Sequence, residues 1–213
     1  MRYIIMCGGT YQKWETPRQL LKVKGETILN RTIRLLRENG VTDIAISTNN
    51  PAFQFENLGL PILHHENNYN AKGYNDFTGH WNEAFYPTDE PVCYIFGDVV
   101  FSPEAMRTIV QTETDDIEFF ASAPPFPPEF RKHSAEPFAL KVVNTKRFKA
   151  CIQVTNDFDR MGLFARKPIM WELWQVIKAT PLNKIIYTNY VVINDYTCDI
   201  DEPEDVQFFD AIF

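Results

Sequence analysis

Short apolar runs alternate with amphipathic stretches along the chain, with polar loops between them. Tyr3 to Cys7 is a short apolar run closed by Gly8-Gly9, the pattern of a buried strand. A long polar loop runs on to about Lys24. From Thr27 to Asn39 the apolar positions fall at helical spacing, with Ile28, Thr32 and Leu36 sharing a face with Leu29 and Ile33. Thr27 stands where a side chain caps a helix start, and Gly40 where a left-handed residue ends one. Asp43 to Thr48 is the second strand, so the chain opens with a strand–loop–helix–strand unit.

The alternation continues. Leu60 to Leu63 is a short strand, and a polar, Asn-rich stretch from Asn67 to Asn75 precedes a helix near Phe77 to Phe85. Val92 to Phe96 is another buried strand, ending in Gly97-Asp98. Pro103, at home in a first helical turn, opens a helix to about Gln111, and Ile117 to Ser122 is strand-like. Five prolines between Pro124 and Pro137 predict an irregular loop. Phe138 to Val143 is a strand and Thr145 to Val154 a helix. Met170, Leu173, Trp174 and Ile177 form a helical stripe, and Tyr187 to Ile193 a late strand. A last helix starts at Pro203, with Val206, Phe209 and Phe213 on one face. No internal repeat or linker-like shift interrupts the pattern. It predicts an α/β protein, a three-layer α/β/α sandwich on a mixed, mainly parallel sheet.

Composition narrows the picture. The 213 residues are 45% hydrophobic and 23% charged, ordinary for a globular chain with its own core. A net charge of −7 argues against nucleic acid or an anionic membrane as the main partner. No apolar run nears the ~18 residues of a membrane span, and a cytoplasmic location is the expectation. Cys7, Cys93, Cys151 and Cys198 make no Cys-x-x-Cys pair, which predicts reduced thiols. The four histidines make no zinc spacing, and His64-His65 reads as a strand cap.

Three constellations carry chemistry. The loop Gly8-Gly9-Thr10-Tyr11-Gln12-Lys13, running on to Thr16-Pro17-Arg18-Gln19-Leu20, follows a buried strand directly. Open α/β sheets bind ligands at the carboxyl ends of strands, where this loop lies. Glycines let backbone N–H groups approach phosphate oxygens, and Lys13, Arg18, Lys22 and Lys24 add cations that only Glu15 opposes. The loop is neither a P-loop nor a dinucleotide fingerprint. The second constellation is Phe96-Gly97-Asp98-Val99, which sets a carboxylate at the end of a central strand, where Mg²⁺ takes one or two carboxylates and phosphate oxygens. The third is Asp199-Ile200-Asp201 before Pro203-Glu204-Asp205. There Asp201 sits at the favourable end of a helix dipole, and Glu204 and Asp205 read as an acidic helix start.

The strand and glycine loop, then Pro17-Arg18-Gln19-Leu20-Leu21, Lys24-Gly25-Glu26-Thr27-Ile28-Leu29, Phe96-Gly97-Asp98-Val99 and Asp199-Ile200-Asp201, resemble the small-molecule nucleotidyltransferases. These include phosphocholine and sugar-phosphate cytidylyltransferases and MobA-like guanylyltransferases. The resemblance spans the whole chain in motif order and is weakest from Pro124 to Lys184. It implies one nucleotidyltransferase-like domain over residues 1–213, with a Rossmann-like fold of the GT-A kind.

It further implies that Gly8, Gly9, Thr10, Lys13 and Arg18 bind the nucleotide phosphates, with Lys13 and Arg18 catalytic. Asn75 and Thr78 fall near the base and ribose segment, and Asp98 and Asp201 on the pair of Mg²⁺-binding aspartates. Thr10 replaces the family's second glycine, Gln12 or Lys13 fills its arginine slot, and Arg18 replaces its lysine. The implied reaction transfers NMP, with CMP favoured, from an NTP to a phosphate or phosphonate monoester and releases pyrophosphate. Partners are the NTP and a phosphorylated small molecule, with a homodimer left open.

Acceptor candidates are Arg131, Lys141, Arg166 and Lys167, with Glu136 and Glu172 for a cationic or hydroxylated acceptor. Trp171 and Trp174 either frame a choline-like group or belong to the core, the core reading being the stronger for Trp174 on its helical stripe; Trp14 lies inside the phosphate loop, and Tyr74 either stacks on a base or anchors its loop. Two other classes compete: a non-catalytic nucleotide-sensing domain, and a nucleotide-sugar glycosyltransferase. The latter wants Asp-x-Asp after a central strand, and here that motif comes only at Asp199.

Overall fold

The computed structural model describes residues 1–8, 16–49, 58–65, 81–123 and 135–212. Strand β1 (Arg2–Met6) is flanked by β4 (Ile44–Thr48) and β6 (Val92–Phe96), both parallel to it, and β5 (Ile62–His64) continues the parallel run beyond β4. On the other side β9 (Pro137–Val142) pairs antiparallel with both β6 and β8 (Ile117–Ala121), and β10 (Val191–Val192) closes that edge parallel to β8. The seven strands stand in the order β10-β8-β9-β6-β1-β4-β5, with β9 alone reversed. Two small ladders lie beside this sheet: β2 (Lys22–Val23) with β3 (Glu26–Thr27), and β7 (Val99–Val100) with β11 (Cys198–Asp199).

Helices cover both faces. On a pleated sheet alternate residues point to opposite sides. Tyr94, Leu140 and Phe119 stand in one row across β6, β9 and β8. On that side Tyr94 meets Phe148 of α3 (Thr145–Arg160), and Phe119 meets Trp171 and Trp174 of α4 (Met170–Ile177). Cys93 and Lys141 form the next row and face α2 (Pro103–Gln111), which packs beside α1 (Ile28–Glu38). The fold is the mixed, mainly parallel α/β/α sandwich the pattern predicts. Among the described residues no helix is long and apolar enough to cross a membrane.

Local chemistry explains the element ends. Thr27 accepts from the Asn30 N–H as the cap of α1, and Gly40 takes φ +82° beyond its end. Lys24 and Gly25 both have positive φ, as a two-residue hairpin turn between β2 and β3 requires. The Ser102 hydroxyl accepts from Ala105 N–H and donates to Asp195, which ties the start of α2 to the turn before β11. Three expectations change. Helix α3 runs on to Arg160, because Thr155 inside its last turns is buried although the apolar pattern ends near Val154. The described part of the Phe77 to Phe85 segment is a 3₁₀ turn, Trp81–Ala84, rather than an α-helix. The late strand shrinks to Val191–Val192, because Tyr187 and Tyr190 pack their rings on Trp171 instead of pairing.

The main core is continuous through the sheet, and burial alone pushes the Cys93 thiol up to about 12 against the pull of Lys141. Burial pushes Cys7 up as well, with a further push from Asp98. A group whose pKa is raised on folding contributes stability that is present below its unfolded value and lost as pH climbs toward its folded one. Thermal stability is therefore expected to fall between about pH 9 and pH 12, with Cys93→Ala flattening part of that slope in melts recorded across the range. An unchanged slope in Cys93→Ala would refute the thiol as a contributor.

Candidate active site

The carboxyl ends of β1 and β6 lie side by side, and the chain leaves both there. Beyond β6, Gly97 donates its N–H to the Met6 carbonyl. A Cβ at residue 97 would stand 2.4 Å from that same carbonyl oxygen and 3.0 Å from Cys7 Sγ, so only glycine lets the turn pass so close to β1. The next residue is Asp98. From it the chain enters β7, whose partner β11 leads to Asp201, and the Ile200 N–H donates to the Asp98 carbonyl. Two aspartates remote in sequence are thereby brought to the same corner. Asp205, in the first turn of α5 (Pro203–Ile212), accepts from the N–H groups of both Asp201 and Glu202 and fixes that bend.

Arg18 joins them. It opens a 3₁₀ turn, Arg18–Leu20, after extended Pro17. Its Nη2 lies 2.5 Å from Asp98 Oδ2, and its Nη1 lies 2.9 Å from Asp201 Oδ1 and 2.8 Å from the Ile200 carbonyl oxygen. The Arg18 side chain is only 15% exposed, Asp98 21% and Asp201 40%, so solvent weakens the Arg18–Asp98 pair less than the more exposed Arg18–Asp201 pair. A second apolar cluster underlies the corner: Val23, Ile28, Val100, Cys198, Ile200 and Phe209. The Lys24 N–H, held by Asp210, ties the β2–β3 hairpin to α5.

Gly8 begins the glycine loop at the end of β1. A Cβ there would meet Asn49 Oδ1 at 3.2 Å and His65 Nε2 at 3.4 Å. His65 N–H bonds the Thr48 carbonyl, which is the strand-capping role expected of the pair. Its ring against Gly8 is new, because no local pattern connects residue 65 to residue 8. Burial and then His64 lower its pKa, so the imidazole is neutral near pH 7. Gly9, Thr10, Lys13, Trp14, Tyr74, Asn75, Thr78 and Arg131 lie outside the described residues.

Several acceptor candidates have other occupations. Lys141 is 4% exposed, and its ammonium donates to the Val110 and Thr112 carbonyls at the end of α2. It stands opposite Cys93, near the amino end of β6 and away from Asp98, so it caps a helix instead of reaching an acceptor. Glu172 is 2% exposed, accepts from the Ile169 N–H at the start of α4 and pairs with Arg166. Lys167 pairs with Asp159. Trp171 and Trp174 are core, donating to the Ala135 and Thr188 carbonyls, and the Lys178 ammonium lies 4.4 Å over the Trp174 ring. Arg166, Glu172 and Glu136 all act electrostatically on Tyr187, so they do share one neighbourhood.

The family model described as the MobA-like NTP transferase domain matches residues 3–155. The chain belongs to that family. It is a nucleotidyltransferase, and the matched span includes Arg18 and Asp98, while Asp201 lies beyond it. The chain is similar in fold to 2-C-methyl-D-erythritol 4-phosphate cytidylyltransferase from Thermus thermophilus, at TM-score 0.61 and 14% identity over 99% of this chain and 97% of that one. It is similar to the inositol-1-phosphate CTP transferase from T. maritima, at TM-score 0.61 and 12% identity over 99% and 95% of the two chains. It is also similar to CTP:phosphocholine cytidylyltransferase from Streptococcus pneumoniae, at TM-score 0.54 and 14% identity over 99% and 98%. No curated protein matches it in sequence.

The oxygens of Asp98, Asp201 and Ile200 are hard donors gathered around one guanidinium, which already occupies them. Such a set suits Mg²⁺, which takes one or two carboxylates and completes its shell with water and phosphate. Among the described residues no three His, Cys, Asp or Glu side chains converge, as a self-sufficient protein cage would need.

Two substitutions test this placement. Gly97→Ala is expected to destabilise the protein by about 1–3 kcal/mol in urea unfolding, because the new methyl meets backbone rather than a movable side chain. Lys141→Ala is expected to lose about 1–3 kcal/mol by stripping two buried carbonyls of their donor, with KM for any acceptor unchanged. A raised KM with normal stability would return Lys141 to the acceptor site.

Proposed function

We propose that the protein is a Mg²⁺-dependent nucleotidyltransferase that transfers a nucleoside monophosphate, CMP by preference, from its triphosphate to a phosphate or phosphonate monoester, releasing pyrophosphate. The observation that carries this reading is the Arg18–Asp98–Asp201 constellation at the carboxyl ends of β1 and β6 in a chain of this family. The preference for CMP draws support from the cytidylyltransferases among proteins of similar fold.

The chemistry asks little of a general base. An acceptor phosphate has its second pKa near ~6 and is already ionised at pH 7. One of its oxygens forms a bond to the α-phosphorus as the bond to the bridging oxygen of the β-phosphate breaks. The electron pair leaves on pyrophosphate. What remains for the protein is alignment and charge neutralisation. Asp98 and Asp201 would hold Mg²⁺, which when bound supplies positive charge to the α-phosphate. Lys13 and Arg18 neutralise charge growing on the leaving pyrophosphate, and Gly8, Gly9 and Thr10 offer backbone N–H groups to the phosphates. Asn75 and Thr78 hold base and ribose, and Arg131 remains the acceptor cation of this reading. The protein works in the cytoplasm on small molecules.

Pyrophosphate release with Mg²⁺, each of the four NTPs and a panel of phosphomonoesters and phosphonates tests the proposal. Acceptor-dependent release with one NTP is expected, falling by about 10²–10³ in Asp98→Asn and in Asp201→Asn without loss of fold. Full activity in either variant would remove the metal assignment. Thermal stability unaltered by any NTP with Mg²⁺ would overturn the nucleotide reading.

A further inference from the structure

The site as it stands is already partly neutralised, by a cation that belongs to the chain. One guanidinium reaches both aspartates through two different nitrogens, and one of these also bonds the Ile200 carbonyl. A lysine ammonium is a compact point charge and lacks the planar fork that makes this three-way contact, so the arginine at position 18 is what makes the closure possible. A divalent ion held by the same carboxylate oxygens would find a fixed positive charge within hydrogen-bonding distance of its own ligands. Like charges that close repel strongly in a partly buried corner.

We propose that Arg18 is a tethered counter-ion of the Asp98–Asp201 pair, which a divalent cation must displace in order to bind. Metal loading then turns the guanidinium out of the pair, at the carboxyl end of β1 where the Gly8 loop begins, and leaves it able to take an anionic oxygen. Arg18 in this role sets the threshold metal concentration of the site and prevents its two carboxylates from facing each other uncompensated in the metal-free protein. The inference rests on the metal reading of Asp98 and Asp201 given above. Because the guanidinium competes with the metal instead of ligating it, removing Arg18 strengthens metal binding, the reverse of what losing a ligand does.

Manganese serves as the probe, because its unbound form is read directly by electron paramagnetic resonance without nucleotide, acceptor or turnover. The full chain, Arg18→Gln, Arg18→Lys, Asp98→Asn and Asp201→Asn are titrated with Mn²⁺. Arg18→Gln is expected to bind Mn²⁺ at least about tenfold tighter than the unmodified protein. Arg18→Lys, which keeps the charge and loses the fork, is expected to fall between the two. The metal-free Arg18→Gln protein should melt at a lower temperature, and Mn²⁺ should raise its melting temperature more than it raises that of the unmodified protein.

Equal or weaker Mn²⁺ affinity in Arg18→Gln, with binding lost in the aspartate variants, would overturn the counter-ion role while leaving the metal site intact. Failure of Mn²⁺ to bind the unmodified, Arg18→Gln and Arg18→Lys proteins alike would overturn the metal reading itself. If Arg18→Gln does not fold, the comparison of Arg18→Lys with the unmodified protein decides the question in the same direction.

Discussion

A single guanidinium bridges three stretches of chain that meet at one corner. Arg18 comes from the segment after β1, Asp98 from the turn after β6, and Asp201 from the bend after β11, 183 positions from the arginine. Each is delivered by a constraint of its own. Gly97 lets the β6 turn lie directly on the Met6 carbonyl, the β7–β11 ladder carries Asp201 alongside Asp98, and the 3₁₀ turn after Pro17 aims Arg18 inward. Two partly buried carboxylates this close are unfavourable without a positive charge between them. The meeting point therefore requires a cation, and the chain supplies one.

Local chemistry was legible in the sequence and long-range delivery was not. Thr27, Gly40 and Pro103 mark helix ends by their own conformational preferences, and the structure puts α1 and α2 within a residue of the bounds they imply. Asp98 stood out at the carboxyl end of a central strand, and Asp201 just ahead of a helix start. Their meeting with Arg18 depends on strand order, which no local pattern encodes. Lys141 misled for a related reason. A lysine on a strand reads as solvated, yet here its ammonium finds two carbonyls at the end of a helix on the neighbouring layer. Tyr187 and Tyr190 had strand-like neighbours, but aromatic packing on Trp171 outweighed pairing, as tertiary context often outweighs β propensity. Asn49 and His65 could be placed against Gly8 only once β4 was known to pair with β1 and β5 with β4, all in parallel.

The comparisons divide the chain unevenly. The family model ends at residue 155, whereas the structural likenesses run through 99% of the chain at 12–14% identity. Cores accept many apolar exchanges when volume and pattern are kept, so topology outlasts sequence. The part beyond residue 155 contains α4 and α5, with the aromatic cluster around Trp171 and the bend that presents Asp201.

The small apolar cluster beneath the corner has a consequence for how the protein opens. Asp98 is rooted in the seven-stranded sheet, whose strands at that point are fully buried. Asp201 is carried by β11 and α5, anchored through a separate group of six buried side chains and a two-residue ladder. Segments held by few buried contacts exchange their amides through local openings well below the global unfolding free energy. By that measure the corner is anchored more firmly on the Asp98 side than on the Asp201 side. Excursions of β11 and α5 would part Asp201 from Asp98 while the sheet stays folded, so the two halves of the site belong to units of unequal cooperativity.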